Sequence, residues 1–429
     1  MSLSLQPPRG TQDRFPEEYV VRKHIFDTRR KVCVSFGYDE YLWPLVEPAD
    51  IWRAKSGEDV GGPELTLITD REGKISDLAL RPEMTPTVTR MVASRYRQLP
   101  KPVRRFSIAN FYRNERPQRG RNREFRQLNV DMFGETSLQA EIEILQLALE
   151  LMFAFDAPKD SFVLKINHRH LIDTFLLEVV GVEKQSKNEL VRLMDKREKI
   201  GQDGFIQGAN ELNCSMAQTE QLLSFLQTTT LDQLFAAFPV LKGQKSLQEI
   251  QQVNEILTHL GYADRISFSP ALMRGFDYYD GIVFEVFDKH PDNNRAMFGG
   301  GRYNGLADIF GVKEQIPAVG FAPGDEPMKL FLESRWLLEQ IGSERNDNVF
   351  VQRIGGEQEQ LAAYQVAKTL RATWAAVEVG VTEKSPKKAL EYADKKGYTS
   401  AVILWTDELT SGSYKIKNLT TGEQQENLL

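Results

Sequence analysis

The apolar positions of the chain fall into short periods whose character changes several times. Over 17–36, Val20, Val21, Ile25 and Phe26 recur at roughly helical spacing and the run stops at Gly37, which predicts a helix with a glycine end. GYDEYLWPLVEP (37–48) mixes aromatic and aliphatic positions around Pro44. Proline lacks the N–H of a sheet ladder, so this strand is expected at a sheet edge or a subunit seam. FSIANFYRN and REFRQLNVDMFG read as two strands around a polar loop, ERPQRGRN. After Ser137, LQAEIEILQLALELMFAF predicts a long amphipathic helix with Thr136 or Ser137 as its N-cap.

Over 181–263 the text turns helical, rich in Gln, Leu, Lys and Glu and poor in Gly and Pro, and reads as an inserted helical module. A strand returns at GIVFEVFD, followed by a glycine-rich loop, FGGGRYNGL, and by AVGFAPGDEPMKLFLE, a strand running into a helix. The polar stretch 339–348 reads as a linker. Beyond it, VFVQRIGG, EQEQLAAYQVAKTLR, AAVEVG, SPKKALEYADKKG and SAVILWTDE alternate strand and helix, which predicts a small α/β domain with a mainly parallel sheet over 349–429. The remaining 1–338, interrupted by the helical module, forms a first domain.

At 429 residues the chain has apolar material for two or three cores. Its 54 Lys and Arg against 60 Asp and Glu give a net charge of −6, so a polyanionic partner must be met by a local patch. Two cysteines, Cys33 and Cys214, are too few and too far apart for a disulfide framework or a zinc cluster, which fits a reducing cytoplasm. No run approaches the ~18 apolar residues of a membrane span.

One stretch breaks the acidic balance. Residues 101–126 hold nine basic residues against Glu115 and Glu124. Guanidinium groups offer phosphate paired hydrogen bonds and stay charged when partly desolvated. By strand alternation Arg121, Arg123 and Phe125 share one face, and Arg113 and Glu115 share a face on the partner strand, a set able to hold a triphosphate and stack a base; a solvated charged hairpin is the alternative. LALRPEMTPTVTR sets Arg81, Glu83 and Thr85 at alternating positions before a helix, where a carboxylate and a hydroxyl suit an amine or imidazole. In LMRGFDYYDGIVFEVFD, Arg274 precedes Tyr278 and Tyr279, of which only one need line a pocket if the segment is extended. The glycines of FGGGRYNGL lack the spacing of a nucleotide fingerprint, and His168 and His170 read as packing residues rather than metal ligands.

In this order, these segments resemble the class II aminoacyl-tRNA synthetases and, among them, the histidyl-tRNA synthetase family. FYRNERPQRGRNREFRQLNVDMFG is similar to that family's second class motif, MRGFDYYDGIVFE and GGGRYNGL to its two histidine signatures, RGTQDRFPEE and RPEMTP to its N-terminal landmarks, and the C-terminal segment to its anticodon-binding domain. The resemblance implies an α+β catalytic domain, an antiparallel sheet flanked by helices, with the strand around Pro44 at a homodimer seam. It implies activation of L-histidine by ATP with Mg²⁺ and transfer to tRNA(His). By position, Arg113 and Arg274 correspond to the catalytic arginines beside the α-phosphate and the histidine carboxylate. Glu115, Arg121 and Phe125 correspond to ATP contacts. Glu83, Thr85, Gln127, Asp131, Tyr278 and Tyr279 correspond to the histidine pocket, and Arg116, Gln118 and Arg119 to the loop at the tRNA acceptor end. No metal ligand from the protein is assigned.

One departure stands out. The third class motif ends in Gly-x-Glu-Arg, with its arginine over the γ-phosphate, whereas this chain reads Gly324-Asp325-Glu326-Pro327. Arg121, Arg302 and Lys329 are candidates to compensate. Pro327 is also the residue-level argument for the alternative, a synthetase-like regulatory paralogue of histidine biosynthesis that does not charge tRNA.

Overall fold

The computed structural model describes residues 3–54, 56, 60–272, 278–293, 295–341, 348–373 and 375–429. Its contacts divide the chain into two units, Met1–Glu339 and Gln340–Leu429.

The first unit is built on an eight-stranded sheet in the order β1-β5-β6-β11-β10-β9-β7-β8. Its centre is the long antiparallel ladder of β5 (Val103–Tyr112) and β6 (Glu124–Phe133). Antiparallel pairing continues through β11 (Ala318–Phe321), β10 (Ala296–Arg302), β9 (Ile282–Asp288) and β7 (Phe162–His168). Parallel pairs occur at the margins, where β1 (Asp39–Glu40) joins β5 and β8 (Ile266–Phe268) joins β7. The expected strand at 37–48 is split: β1 is one edge of this sheet, and β2 (Val46–Pro48) is an edge of a separate sheet with β4 (Ile75–Leu80) and β3 (Thr66–Thr69). Pro44 stands between them, in neither ladder.

Helix α1 (Pro16–Ser35) opens on proline, and Gly37 follows it at φ +76°. Its buried stripe is Arg22, Ile25, Phe26, Arg29 and Cys33, whereas Val20 is exposed. The short α2 (Asp50–Arg53) and then α3 (Thr85–Arg95) follow. The helix after Ser137, α4 (Gln139–Phe153), is buried on most sides rather than along one stripe, because α1 and β11 both pack against it. Its N-cap is Leu138, with no side-chain cap; the Ser137 N–H is accepted by Glu135 instead, at 2.7 Å.

Between β7 and β8 the chain is helical throughout: α5 (Arg169–Thr174), a π-helical turn Phe175–Val180, α6 (Lys187–Glu211) broken at Gly201, α7 (Met216–Gln227), α8 (Leu231–Ala237) and α9 (Lys245–His259). This helical run begins before residue 181 because Leu171, Ile172, Phe175 and Leu176 share one apolar core with the later helices. Phe175 stacks on Phe225 at 3.9 Å between ring centres. His168 caps α5 and meets Glu249 at 2.9 Å, a packing role.

FGGGR is the strand β10, not a loop. Helix α10 (Asp325–Glu333) follows β11 after a three-residue turn.

In the second unit, β12 (Asn348–Arg353), α11 (Glu357–Ala372), β13 (Ala376–Val379), α12 (Pro386–Lys395) and β14 (Ser400–Leu404) alternate, with β12 pairing both other strands in parallel. After α13 (Thr406–Ser411), the hairpin β15 (Ser413–Asn418) and β16 (Gln424–Leu428) extends the sheet antiparallel.

Candidate active site

A cavity of about 1190 Å³ opens on the sheet of the first unit. β6 supplies its floor: residues two apart share a face, so Phe125, Gln127 and Asn129 all line it. Gln127 donates to Asn129 Oδ1 at 2.9 Å.

The basic residues reach the cavity by a route that differs from the strand alternation expected. β5 ends at Tyr112 and β6 begins at Glu124, so Arg113, Glu115, Arg121 and Arg123 lie on the loop between them. Backbone bonds shape this loop. The Arg113 N–H donates to the Arg123 carbonyl at 2.8 Å, and Gln118 and Arg121 exchange two bonds around Gly120, whose φ is +75°. Arg123 turns back to bond the Glu115 carbonyl, while Arg113 and Arg121 line the cavity. Arg113 donates to the Pro82 carbonyl at 2.9 Å and lies 5.3 Å over the Phe125 ring, which stacks on Phe111. Arg121 Nε is 2.6 Å from Glu115 Oε2. Burial pushes the Glu115 carboxyl up, and Arg121 opposes it.

At the other side, Glu83 and Thr85 stand where α3 begins, both buried and both lining the cavity. Tyr278 donates to Glu83 Oε2 at 3.2 Å. Tyr278 and Tyr279 both line the cavity, their rings 4.8 Å apart; Tyr278 lies in a turn and neither tyrosine belongs to a strand. Tyr303 packs against both and donates to Asp131 Oδ1. Asp131 is therefore behind Tyr303 and is not on the cavity wall. Its Oδ2 is buried with no hydrogen-bond partner among the described residues. Burial pushes its carboxyl up to about 7; the Tyr303 hydrogen bond opposes this and Glu83 adds to it.

The glycines have a local reason. A Cβ at Gly301 would lie 2.6 Å from the Ile282 carbonyl oxygen and 2.9 Å from Tyr279 Cδ1. One at Gly320 would meet the Val130 carbonyl and the Asp131 carboxylate. Side chains here would close the space between β9, β10, β11 and β6.

Of the other expected residues, Gln118 and Arg119 are on the cavity wall and Arg116 is not. Arg274 lies outside the described residues, with 273–277. Arg81 is a structural bracket, donating to the Asn110 and Trp43 carbonyls with its guanidinium 4.6 Å over the Trp43 ring.

Pro327 occupies the first turn of α10, where its missing N–H leaves no helical bond unmade. The two acids before it are held from α1. Asp325 is buried, pairs with Arg22 and accepts from the Arg126 N–H at 3.3 Å. Glu326 pairs with Arg22 and with Arg14 at 2.7 Å and accepts from Asn122 at 2.9 Å. Arg29 donates to the Pro323 and Gly324 carbonyls at 3.1 and 3.0 Å, and burial lowers its pKa to about 9.

Asn129, Tyr303 and the α1 arginines Arg22 and Arg29 are not among the residues expected from the sequence. The period of two through Phe125, Gln127 and Asp131 carries the signal for Asn129. Nothing local marks Arg22 and Arg29 as buried. Among the described residues no group of three or more His, Cys, Asp or Glu is placed to hold a metal ion.

The histidyl-tRNA synthetase family model matches residues 10–325, and an anticodon binding domain model matches 348–428. The chain is 37% identical over 422 residues to the histidine–tRNA ligase of Leptospira biflexa, covering 98% of this chain and 95% of that one. Its fold is similar to that of histidyl-tRNA synthetase from Nostoc sp. PCC 7120, with TM-score 0.81 and 22% identity, covering 100% of this chain and 97% of the other. It is also similar to an ATP phosphoribosyltransferase regulatory subunit/histidyl-tRNA synthetase from Bacillus halodurans, with TM-score 0.74 and 23% identity, covering 94% and 99%. A basic loop and an acid–tyrosine pocket facing one cavity, in a chain matched along nearly its whole length by such a relative, belong together: this chain is a member of the histidyl-tRNA synthetase family.

Proposed function

We propose that this chain is a histidine–tRNA ligase: it activates L-histidine with ATP to histidyl-adenylate and transfers the histidyl group to the 3′ end of tRNA(His). The observation that carries the reading is that arginines suited to phosphate and a buried carboxylate–tyrosine pocket suited to an ammonium and an imidazole face one cavity. In the first step a histidine carboxylate oxygen attacks the α-phosphorus, the bond to the bridging oxygen breaks, and pyrophosphate leaves. Anion approaches anion, so catalysis consists of positioning and charge stabilisation. Arg113 is held at its Nε by the Pro82 carbonyl, which leaves its terminal nitrogens for the α-phosphate and carboxylate. Arg274 takes the other side of that phosphate.

Phe125 stacks the adenine, Glu115 accepts from its amino group, and Arg121 holds the terminal phosphates. Glu83, Thr85 and Gln127 receive the ammonium and ring nitrogens, Tyr278 and Tyr279 surround the imidazole, and Asp131 acts on the pocket through Tyr303. In the second step a ribose hydroxyl of the terminal adenosine attacks the carbonyl carbon, loses its proton, and AMP leaves. Arg116, Gln118 and Arg119 serve the acceptor end. Mg²⁺ bound to the nucleotide would supply phosphate charge neutralisation, with no ligand from the protein assigned to it.

Residues 1–338 form the catalytic domain with 181–263 inserted, 339–348 the linker and 349–429 the anticodon-binding domain. The protein acts as a cytoplasmic homodimer; exposed Leu42 and Leu45 and, on β4, Ile75 and Leu78 support a seam beside the small sheet. Two buried free cysteines agree with a reducing compartment.

The test is histidine-dependent ATP–pyrophosphate exchange without tRNA, with the other standard amino acids as controls. Exchange with histidine alone is expected. A folded protein that binds histidine but does not exchange at saturating ATP would overturn the ligase reading in favour of the regulatory paralogue, which Pro327 supports.

A further inference from the structure

The arginine absent at position 327 leaves the nucleotide end of the cavity one cation short of the family pattern, and the three compensating residues expected from sequence do not supply it equally. Arg302 is consumed at the other end of β10, where it pairs with Glu141 and bonds the Glu135 carbonyl at 2.8 Å. Lys329 is not on the cavity wall. Arg121 is on the wall but is paired with Glu115. Arg14 and Arg22 are taken by Asp325 and Glu326.

We propose that Arg295, at the start of β10, is a ligand of the terminal phosphate of bound ATP. It lines the cavity. Its one hydrogen-bond partner among the described residues is neutral, Gln118 Oε1 at 2.9 Å from its Nη2. A guanidinium has five N–H donors, so most of its donors and all of its charge are uncommitted to protein acids. β10 pairs with β11, and the chain leaves β11 directly into the turn of α10 that carries Pro327. The loop tip ties the two places together: Gln118 meets Arg295, Arg119 meets the Asp292 carbonyl at 3.4 Å, and Gly120 sits against Leu330, one turn along α10 from Pro327. The cation thus arrives from the strand neighbouring the one that leads into position 327, on the cavity wall that Arg121 also lines.

This inference rests on the ligase reading, and the experiment separates the two. The KM for ATP is measured in histidine-dependent exchange for the wild type and Arg295→Gln, and binding of ATP and of AMP to both is measured by calorimetry. A charge-assisted bond to phosphate predicts a rise in the ATP KM and Kd of about tenfold to a hundredfold, with AMP binding within twofold of wild type. Adding Pro327→Arg to Arg295→Gln is expected to restore most of the ATP affinity. An unchanged ATP affinity overturns the inference. So does an equal loss for ATP and AMP, which would make Arg295 a support for the loop through Gln118. A wild type that fails to exchange overturns the ligase reading, while the calorimetric comparison still decides the role of Arg295.

Discussion

Two side chains of the site have environments that make sharp demands on chemistry. The Arg113 side chain donates to the Pro82 carbonyl and lies over the Phe125 ring, and in the proposed reaction its charge serves the α-phosphate and the carboxylate. Arg113→Ala is expected to lower the single-turnover rate of adenylate formation by roughly a hundredfold to a thousandfold, as for other groups that stabilise developing charge, with the circular dichroism spectrum unchanged. Asp131 is an acid whose folded-state pKa, about 7, stands above its ordinary 3.8. Such a group favours the folded state while it is protonated; the benefit is full below about pH 4 and is lost as pH rises through about 7. Asp131→Asn has no charge to bury, so the thermal midpoint of the unliganded variant is expected to gain on wild type as pH rises from about 4 to about 7 and to hold that gain above it. Calorimetric scans across that range read the effect.

At the scale of elements, the site depends on strands that approach too closely for side chains. Gly320 faces the Val130 carbonyl and the Asp131 carboxylate across the β6–β11 pair. Gly320→Ala is expected to lower stability by about 1–3 kcal/mol, the range for overpacking, and to raise the KM for histidine because Asp131 and Tyr303 must shift; urea unfolding and exchange kinetics read the two effects. The ladder of β5 and β6 was legible from its apolar alternation, as was the strand-to-helix step into α10. The basic loop was legible only as composition. Its arginines are oriented by the Arg113–Arg123 and Gln118–Arg121 backbone bonds, which carry no periodic signature. Glycine's low strand propensity leaves the strand at FGGGR without a local signal, yet β10 needs these glycines for the close approach of its neighbours.

For the whole molecule, every residue that lines the cavity belongs to the first unit. A chain ending at Glu339 is therefore expected to keep histidine-dependent exchange within a few-fold while losing most tRNA charging, measured as exchange and aminoacylation rates on one preparation. The sequence by itself determined the β5 and β6 strands, the strand-to-helix step into α10, the strand–helix alternation after residue 348 and the family, because these reside in local period and in residue types at short spacing. Only the tertiary structure decided which polar groups are buried and with whom. Arg22 and Arg29 lie on the buried face of α1 because the start of α10, some three hundred positions away, offers them carboxylates and carbonyls. Asp131 is hidden behind Tyr303, Arg302 is spent on Glu141, and Arg295 lines the cavity with neutral Gln118 as its partner among the described residues. These are contacts between strands and helices distant in the chain, and burial, the largest influence on a charged group's energy, is set by what packs over it rather than by its neighbours in sequence.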